Sequence, residues 1–100
     1  MKILQVVPRR DAKKSLTAAL NEKERELRDR GTVFVRVRAG KWKHKRFRGW
    51  INWEESNGGV LVAEVRSRVP STEWQLLHSF VGYLDRNLSD LIESVTISFR

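Results

Sequence analysis

His44 stands in the run Lys43-His44-Lys45-Arg46, an imidazole set among cations. An imidazole moves protons near neutral pH, and neighbouring ammonium and guanidinium groups stabilise charge developing on a phosphate. With Glu54 as a second proton carrier, these residues have the composition of a small metal-independent ribonuclease. Little else in the chain has the types or spacing for chemistry. His78 has no ligand-spaced partner, so neither histidine suggests a metal site. There are no cysteines, which excludes disulfides, thiol catalysis, thiolate zinc sites and iron–sulfur clusters. Gly58-Gly59 reads as a turn and not as a phosphate loop. The expectation is a protein without catalytic residues, metal or cofactor, with His44 serving as one more polar contact in a basic hairpin.

Binding is the chemistry the composition favours. Between Arg36 and Arg48 lie Arg36, Arg38, Lys41, Lys43, Lys45, Arg46 and Arg48, with no acid among them. Of the chain's 20 basic residues, those seven account for most of the net charge of +8, because the other 13 face 12 acidic residues. Charge concentrated in this way acts jointly on adjacent phosphates. Trp42 interrupts the run and Trp50 follows it, and an exposed indole offers single-stranded bases a face to stack on, as arginine does. The other reading of the same residues is a solubilising hairpin, or a dimer interface with aromatics at its centre and arginines at its rim.

These residues must be positioned by a small frame. A hundred residues make one domain, 1–100, with a single core. Met1 to Val7 reads as a strand ended by Pro8. Its apolar run is too short for a signal peptide, and no stretch approaches the roughly 20 apolar residues of a membrane span. A soluble, cytoplasmic protein without a membrane partner is expected. Asp11 is a suitable cap for a helix running to about Arg30, with Ala12, Leu16, Ala19, Leu20 and Leu27 as its apolar stripe and Gly31 as its C-cap. Glu24 with Arg28 and Glu26 with Arg30 read as ion pairs on its solvated face.

From Thr32 the period becomes two. Val33, Val35 and Val37 read as the buried side of a strand, with Phe34, Arg36 and Arg38 outward. Ala39 and Gly40 offer a turn, or a bulge in a longer arm. A strand from about Arg46 to Glu54 directs Phe47, Gly49, Ile51 and Trp53 inward and Arg46, Arg48, Trp50 and Asn52 outward. Asn57-Gly58-Gly59 is a turn, and Val60 to Arg68 a strand with Leu61, Ala63 and Val65 inward and Glu64, Arg66 and Arg68 outward. Beyond Pro70, Ser71 or Thr72 caps a second helix, with Gln75 completing a capping box if Thr72 is the cap. Trp74, Leu77, Val81, Leu84, Leu88 and Leu91 form its apolar stripe, widened by Leu76, Phe80 and Tyr83. Asn87 to Asp90 reads as its frayed end. Val95, Ile97 and Phe99 mark a last strand.

The order β-α-β-β-β-α-β predicts an α+β two-layer sandwich, a mainly antiparallel sheet with both helices on one face. Parity then predicts an uncovered face on which Arg36, Arg38, Arg46, Arg48, Arg66 and Arg68 surround Trp50. Trp42 and His44 join them if no bulge reverses the register, and Lys41, Lys43 and Lys45 form the hairpin tip.

Asn57, Gly58, Gly59, Val60, Leu61, Val62 and Ala63, then Glu73-Trp74, Leu77, Phe80, Val81, Leu84, Asp85, Arg86, Asn87 and Leu88, resemble the matching part of the ribosome hibernation promoting factors. That resemblance covers about a third of the chain. It implies a β-α-β-β-β-α order and association with the small ribosomal subunit. Residues and resemblance together lead to the expectation of a non-enzymatic domain that binds nucleic acid, RNA before DNA, or a ribosome. A homodimeric protein-interaction module is the alternative, and a small ribonuclease the third.

Overall fold

The computed structural model describes residues 1–30 and 33–100, with the side chains of 28–30 excepted. Among the described residues six strands and two helices follow one another as β1 (Lys2–Pro8), α1 (Leu16–Arg30), β2 (Phe34–Arg38), β3 (Lys41–His44), β4 (Trp50–Glu55), β5 (Leu61–Arg66), α2 (Pro70–Leu88) and β6 (Ile92–Phe99). The strands form one sheet in the order β2-β3-β4-β5-β1-β6, every neighbouring pair antiparallel. The expected α+β sandwich is present with one strand more, because the hairpin arm bends over residues 45–49 and divides into β3 and β4.

Both helices pack on one sheet face. Leu16, Ala19, Leu20 and Leu27 of α1 and Leu76, Leu77, Phe80, Leu84 and Leu88 of α2 share a single core with Leu4, Val6, Phe34, Trp42, Ile51, Trp53, Leu61, Ala63 and Val65. The inward parity expected for β5, and for Ile51 and Trp53 of β4, therefore holds, while Phe47 and Gly49 fall in the bend before β4. That of β2 is reversed: Phe34 is fully buried, whereas Val33, Val35 and Val37 are exposed. Phe34 lies edge-on to Phe80 and Tyr83 and 5.7 Å from Trp42, so one large ring fills the space that three valines were expected to occupy.

Local chemistry shifts three boundaries. α1 begins at Leu16, because Ser15 Oγ accepts the Ala18 N–H at 3.0 Å and caps it; Asp11 lies in the preceding turn. The C-cap expected at Gly31 falls outside the described residues, as do the side chains of Arg28 and Arg30. α2 begins at Pro70, whose fixed φ suits the first helical position, and neither Ser71 nor Thr72 caps it. At its far end α2 passes into a 3-10 turn, Ser89–Leu91, and directly into β6. Trp74 projects from α2 and is 47% exposed, outside the stripe expected of it.

Two buried carboxylates tie the helices to the sheet. Glu73 accepts from Lys2 Nζ at 2.9 Å, from the N-terminal amine at 3.1 Å and from the Ser67 N–H at 3.1 Å. Burial raises its pKa, but these donors outweigh it and hold the carboxyl below the usual range. Glu24 occupies the buried stripe of α1, facing the β2–β3 hairpin. Its Oε1 accepts from Trp42 Nε1 at 2.9 Å and from the Gly40 N–H at 2.8 Å, while Oε2 receives Arg36 Nε at 3.2 Å. Glu24 therefore holds the hairpin against α1 and is no member of a solvated face.

Candidate nucleic-acid interface

The sheet face away from the helices carries a smaller cationic patch than expected. On β4, Ile51 and Trp53 are buried, so Trp50, Asn52 and Glu54 alternate outward. Trp50 pairs with Arg66 of β5, and Asn52 pairs with Lys41 of β3 and Glu64 of β5. Directly paired residues share a face, which sets Lys41, Trp50 and Arg66 together on the open side. Lys43 is exposed on the same side of β3, across from Val35. A bulge between Arg36 and Arg38 sets Arg38 opposite Lys41, so Arg38 reaches this face from the edge strand.

Trp50 is half-buried, and Lys41 Nζ lies 5.3 Å from its ring centroid. A surface cation–π contact contributes about 0.5–1 kcal/mol. Stacking of a base contributes about 1–3 kcal/mol. A base can therefore displace the ammonium, which remains within reach of a phosphate. Arg66 Nε is held 3.3 Å from Glu64 Oε2, an exposed pair of small net worth that orients the guanidinium without consuming it.

Other expected members of the patch lie elsewhere. Arg36 points to the helix side and is paired with Glu24. Trp42 is fully buried and cannot be a base platform. Exposing an indole of roughly 150–250 Å2 at about 25 cal/mol per Å2 costs about 4–6 kcal/mol, more than stacking returns. The bulge lies on β2 and leaves Trp42 opposite Arg36, on the helix side with Phe34 and His44. Arg46 and Arg48, expected on a strand, are exposed in the 45–49 bend together with Lys45, while Lys41 and Lys43, expected with Lys45 at a hairpin tip, lie on β3. Lys45, Arg46 and Phe47 line a groove of about 980 Å3 that runs beside α2, with Ser79, Gly82 and Arg86. Arg68 is exposed beyond the end of β5.

His44 also faces the helix side, edge-on to Phe34 and 4.6 Å from Phe47. Its Nδ1 accepts the Arg46 and Phe47 N–H groups at 3.0 and 3.3 Å, so the ring shapes the bend. Burial, and then the Arg46 charge, lower its pKa. Glu54 alternates onto the opposite face, so the structure does not bring together the acid–base pair that a ribonuclease would require. Among the described residues no group of three or more His, Cys, Asp or Glu side chains could hold a metal ion, and no helix is long and apolar enough to cross a membrane.

Sequence reasoning also missed an exposed aromatic stack. Trp74 lies against His78 at 6.2 Å and against Phe99 at 6.3 Å, and Lys2 Nζ sits 5.4 Å from the Phe99 ring. The i, i+4 spacing of Trp74 and His78 was available in the sequence; the approach of Phe99 was not, because it depends on β6 lying at the sheet edge. Comparison with protein-family models, with characterised proteins and with solved structures finds no match for this chain.

Proposed function

We propose that this protein is a non-enzymatic RNA-binding domain of the cytoplasm that docks on single-stranded or ribosomal RNA through the open sheet face around Trp50. The observation that carries the reading is the cross-strand grouping of Lys41, Trp50 and Arg66, with Lys43 and Arg38 beside them on a face no helix covers. A flat indole among cations can stack a base while its neighbours neutralise the flanking phosphates. Recognition of this kind follows the backbone and carries little sequence preference. The groups in the 45–49 bend form a second basic region and would extend the track around the hairpin.

The test is anisotropy of a labelled single-stranded RNA titrated at several salt concentrations. Engagement of the four cations Arg38, Lys41, Lys43 and Arg66 predicts a slope of log affinity against log salt near −3, at roughly −0.7 per phosphate neutralised. Lys41→Glu with Lys43→Glu and Arg66→Glu should abolish binding and leave the fold intact, whereas Arg10→Glu with Lys13→Glu should change it little. A flat salt response, or undiminished binding by the triple variant, would refute the assignment.

A further inference from the structure

The two edges of the sheet differ in kind. β2 is five residues long, carries Arg36 and Arg38, and is bulged between them. Those are features that discourage another strand from pairing. β6 has eight residues, contains no Lys, Arg or Pro, and carries Glu93 as its single charge. It runs in even register with β1 from Phe99 back to Ser94.

The phase of its free hydrogen bonds follows from its end. Arg100 N–H donates to the Met1 carbonyl at 3.0 Å, and the Met1 amine donates to the Arg100 carbonyl at 3.4 Å. That is a narrow hydrogen-bonded pair, and antiparallel ladders alternate. Ser98, Thr96 and Ser94 therefore bond to β1, while Val95, Ile97 and Phe99 direct N–H and C=O away from the sheet; Glu93 is the extra residue of a bulge, where the pairing passes from Val7 with Ser94 to Pro8 with Ile92. On the helix side of this edge, Ile92, Val95 and Ile97 are only partly buried. Phe99 is 67% exposed and stacks on Trp74.

We infer that the partner for this edge is a second copy of the chain, paired β6 to antiparallel β6 about a two-fold axis through opposed Thr96 residues. That register pairs the outward-directed groups of Val95 and Ile97 with one another across the axis and sets Phe99 opposite Glu93 at the bulge. It sets Val95 against Ile97 on the helix side, and Ser94 against Ser98 on the open side. Centring on Ile97 instead would carry Glu93 past the end of the opposing strand, and centring on Val95 would set Phe99 opposite Leu91 of the 3-10 turn. Charge agrees with the arrangement: Asp90 and Glu93 precede and begin the strand, Arg100 follows it, and two-fold pairing brings the acidic end of one copy to the basic end of the other. Phe99 and Trp74 are then covered by the start of the second copy's β6. The sheet becomes continuous across twelve strands, and a two-fold axis normal to it keeps both open faces on one side.

The inference is independent of RNA binding and is tested on nuclease-treated protein at high salt. Sedimentation should give twice the 11.7 kDa chain mass at high protein concentration. Thr96 is exposed, so charge there spares the core. Thr96→Lys and Thr96→Glu should each raise the dissociation constant roughly tenfold or more, because like charges would oppose each other across the axis. Mixing the two variants should restore the dimer. The chain has no cysteine, so Thr96→Cys supplies a single thiol. Opposed residues in a non-hydrogen-bonded pair have Cα atoms about 4.5 Å apart, within disulfide range, so mild oxidation should yield a covalent dimer that Asn57→Cys does not form. A wild-type chain that stays monomeric overturns the inference. So does a dimer indifferent to charge at 96, or one whose Lys and Glu variants fail to recombine.

Discussion

Replacing Glu24 by alanine should cost about 2–6 kcal/mol of stability, although the residue is a glutamate on a helix that reads as a charged surface. The side chain is 5% exposed, and its Oε1 alone serves two donors, the buried Trp42 indole at 2.9 Å and the Gly40 N–H at 2.8 Å. Each buried donor left without a partner costs about 1–3 kcal/mol. Arg36 is 30% exposed and regains water, so the ion pair at Oε2 adds less than about 1 kcal/mol. Glu24→Gln then separates the terms. The amide keeps an oxygen for both donors and loses only the contact with Arg36, so it should cost about 1 kcal/mol or less. Urea unfolding followed by tryptophan fluorescence measures both, and the alanine variant should move the midpoint down by roughly 1–3 M. In a double-mutant cycle with Trp42→Phe, the coupling should equal most of the indole share. If Gln costs as much as Ala, the ion pair carries the stabilisation and the acceptor argument is wrong.

Gly49 has φ 126°, and a Cβ there would lie 2.2 Å from the Arg66 carbonyl oxygen. Gly49→Ala should lower stability by about 2 kcal/mol or more, equivalent to a drop in Tm of roughly 8–16 °C by circular dichroism. Burial, with the Arg46 charge adding to the effect, disfavours the charged form of His44, so its folded pKa lies below the unfolded value of 6.5. Its share of stability is complete above that value and is lost as pH falls from there through the folded pKa. Urea midpoints between pH 8 and pH 5 should decline, and His44→Asn should flatten that limb; an unchanged limb would show that another group titrates. Trp50→Ala should weaken RNA binding by about 1–3 kcal/mol with the fold unchanged. Trp42→Ala should instead unfold the hairpin, as hydrogen exchange in β3 would report.

Much of the frame was legible because one face of each central element is buried. Leu61, Ala63 and Val65, the repeat from Leu76 to Leu88, and Leu4 with Val6 each show the period of their element, and all fall inside. The candidate site was legible only in part. Arg66 and Trp50 reach the open face as parity required; Lys41 and Lys43, expected at a hairpin tip, reach it from β3, and Arg38 does so because a bulge restores what the reversal of β2 would have removed. The clue to that reversal was in α1. Glu24 follows Leu16 and Leu20 at helical spacing, and a carboxylate in a buried stripe requires a buried donor, which here is the Trp42 indole.

The sequence by itself determined the composition of the basic segment, the absence of thiol chemistry, the α+β class and the inward faces of β4 and β5. Tertiary structure alone decided which side of β2 is inside. Both halves of its alternation are self-consistent, three valines against Phe34 and two arginines, and period two cannot choose between them. The choice was made by a carboxylate from α1 and by rings from α2, groups distant in sequence that meet only when both helices settle on the same face. It moved Trp42 and Arg36 into the core side and left the open-face patch to Trp50 and the cations around it.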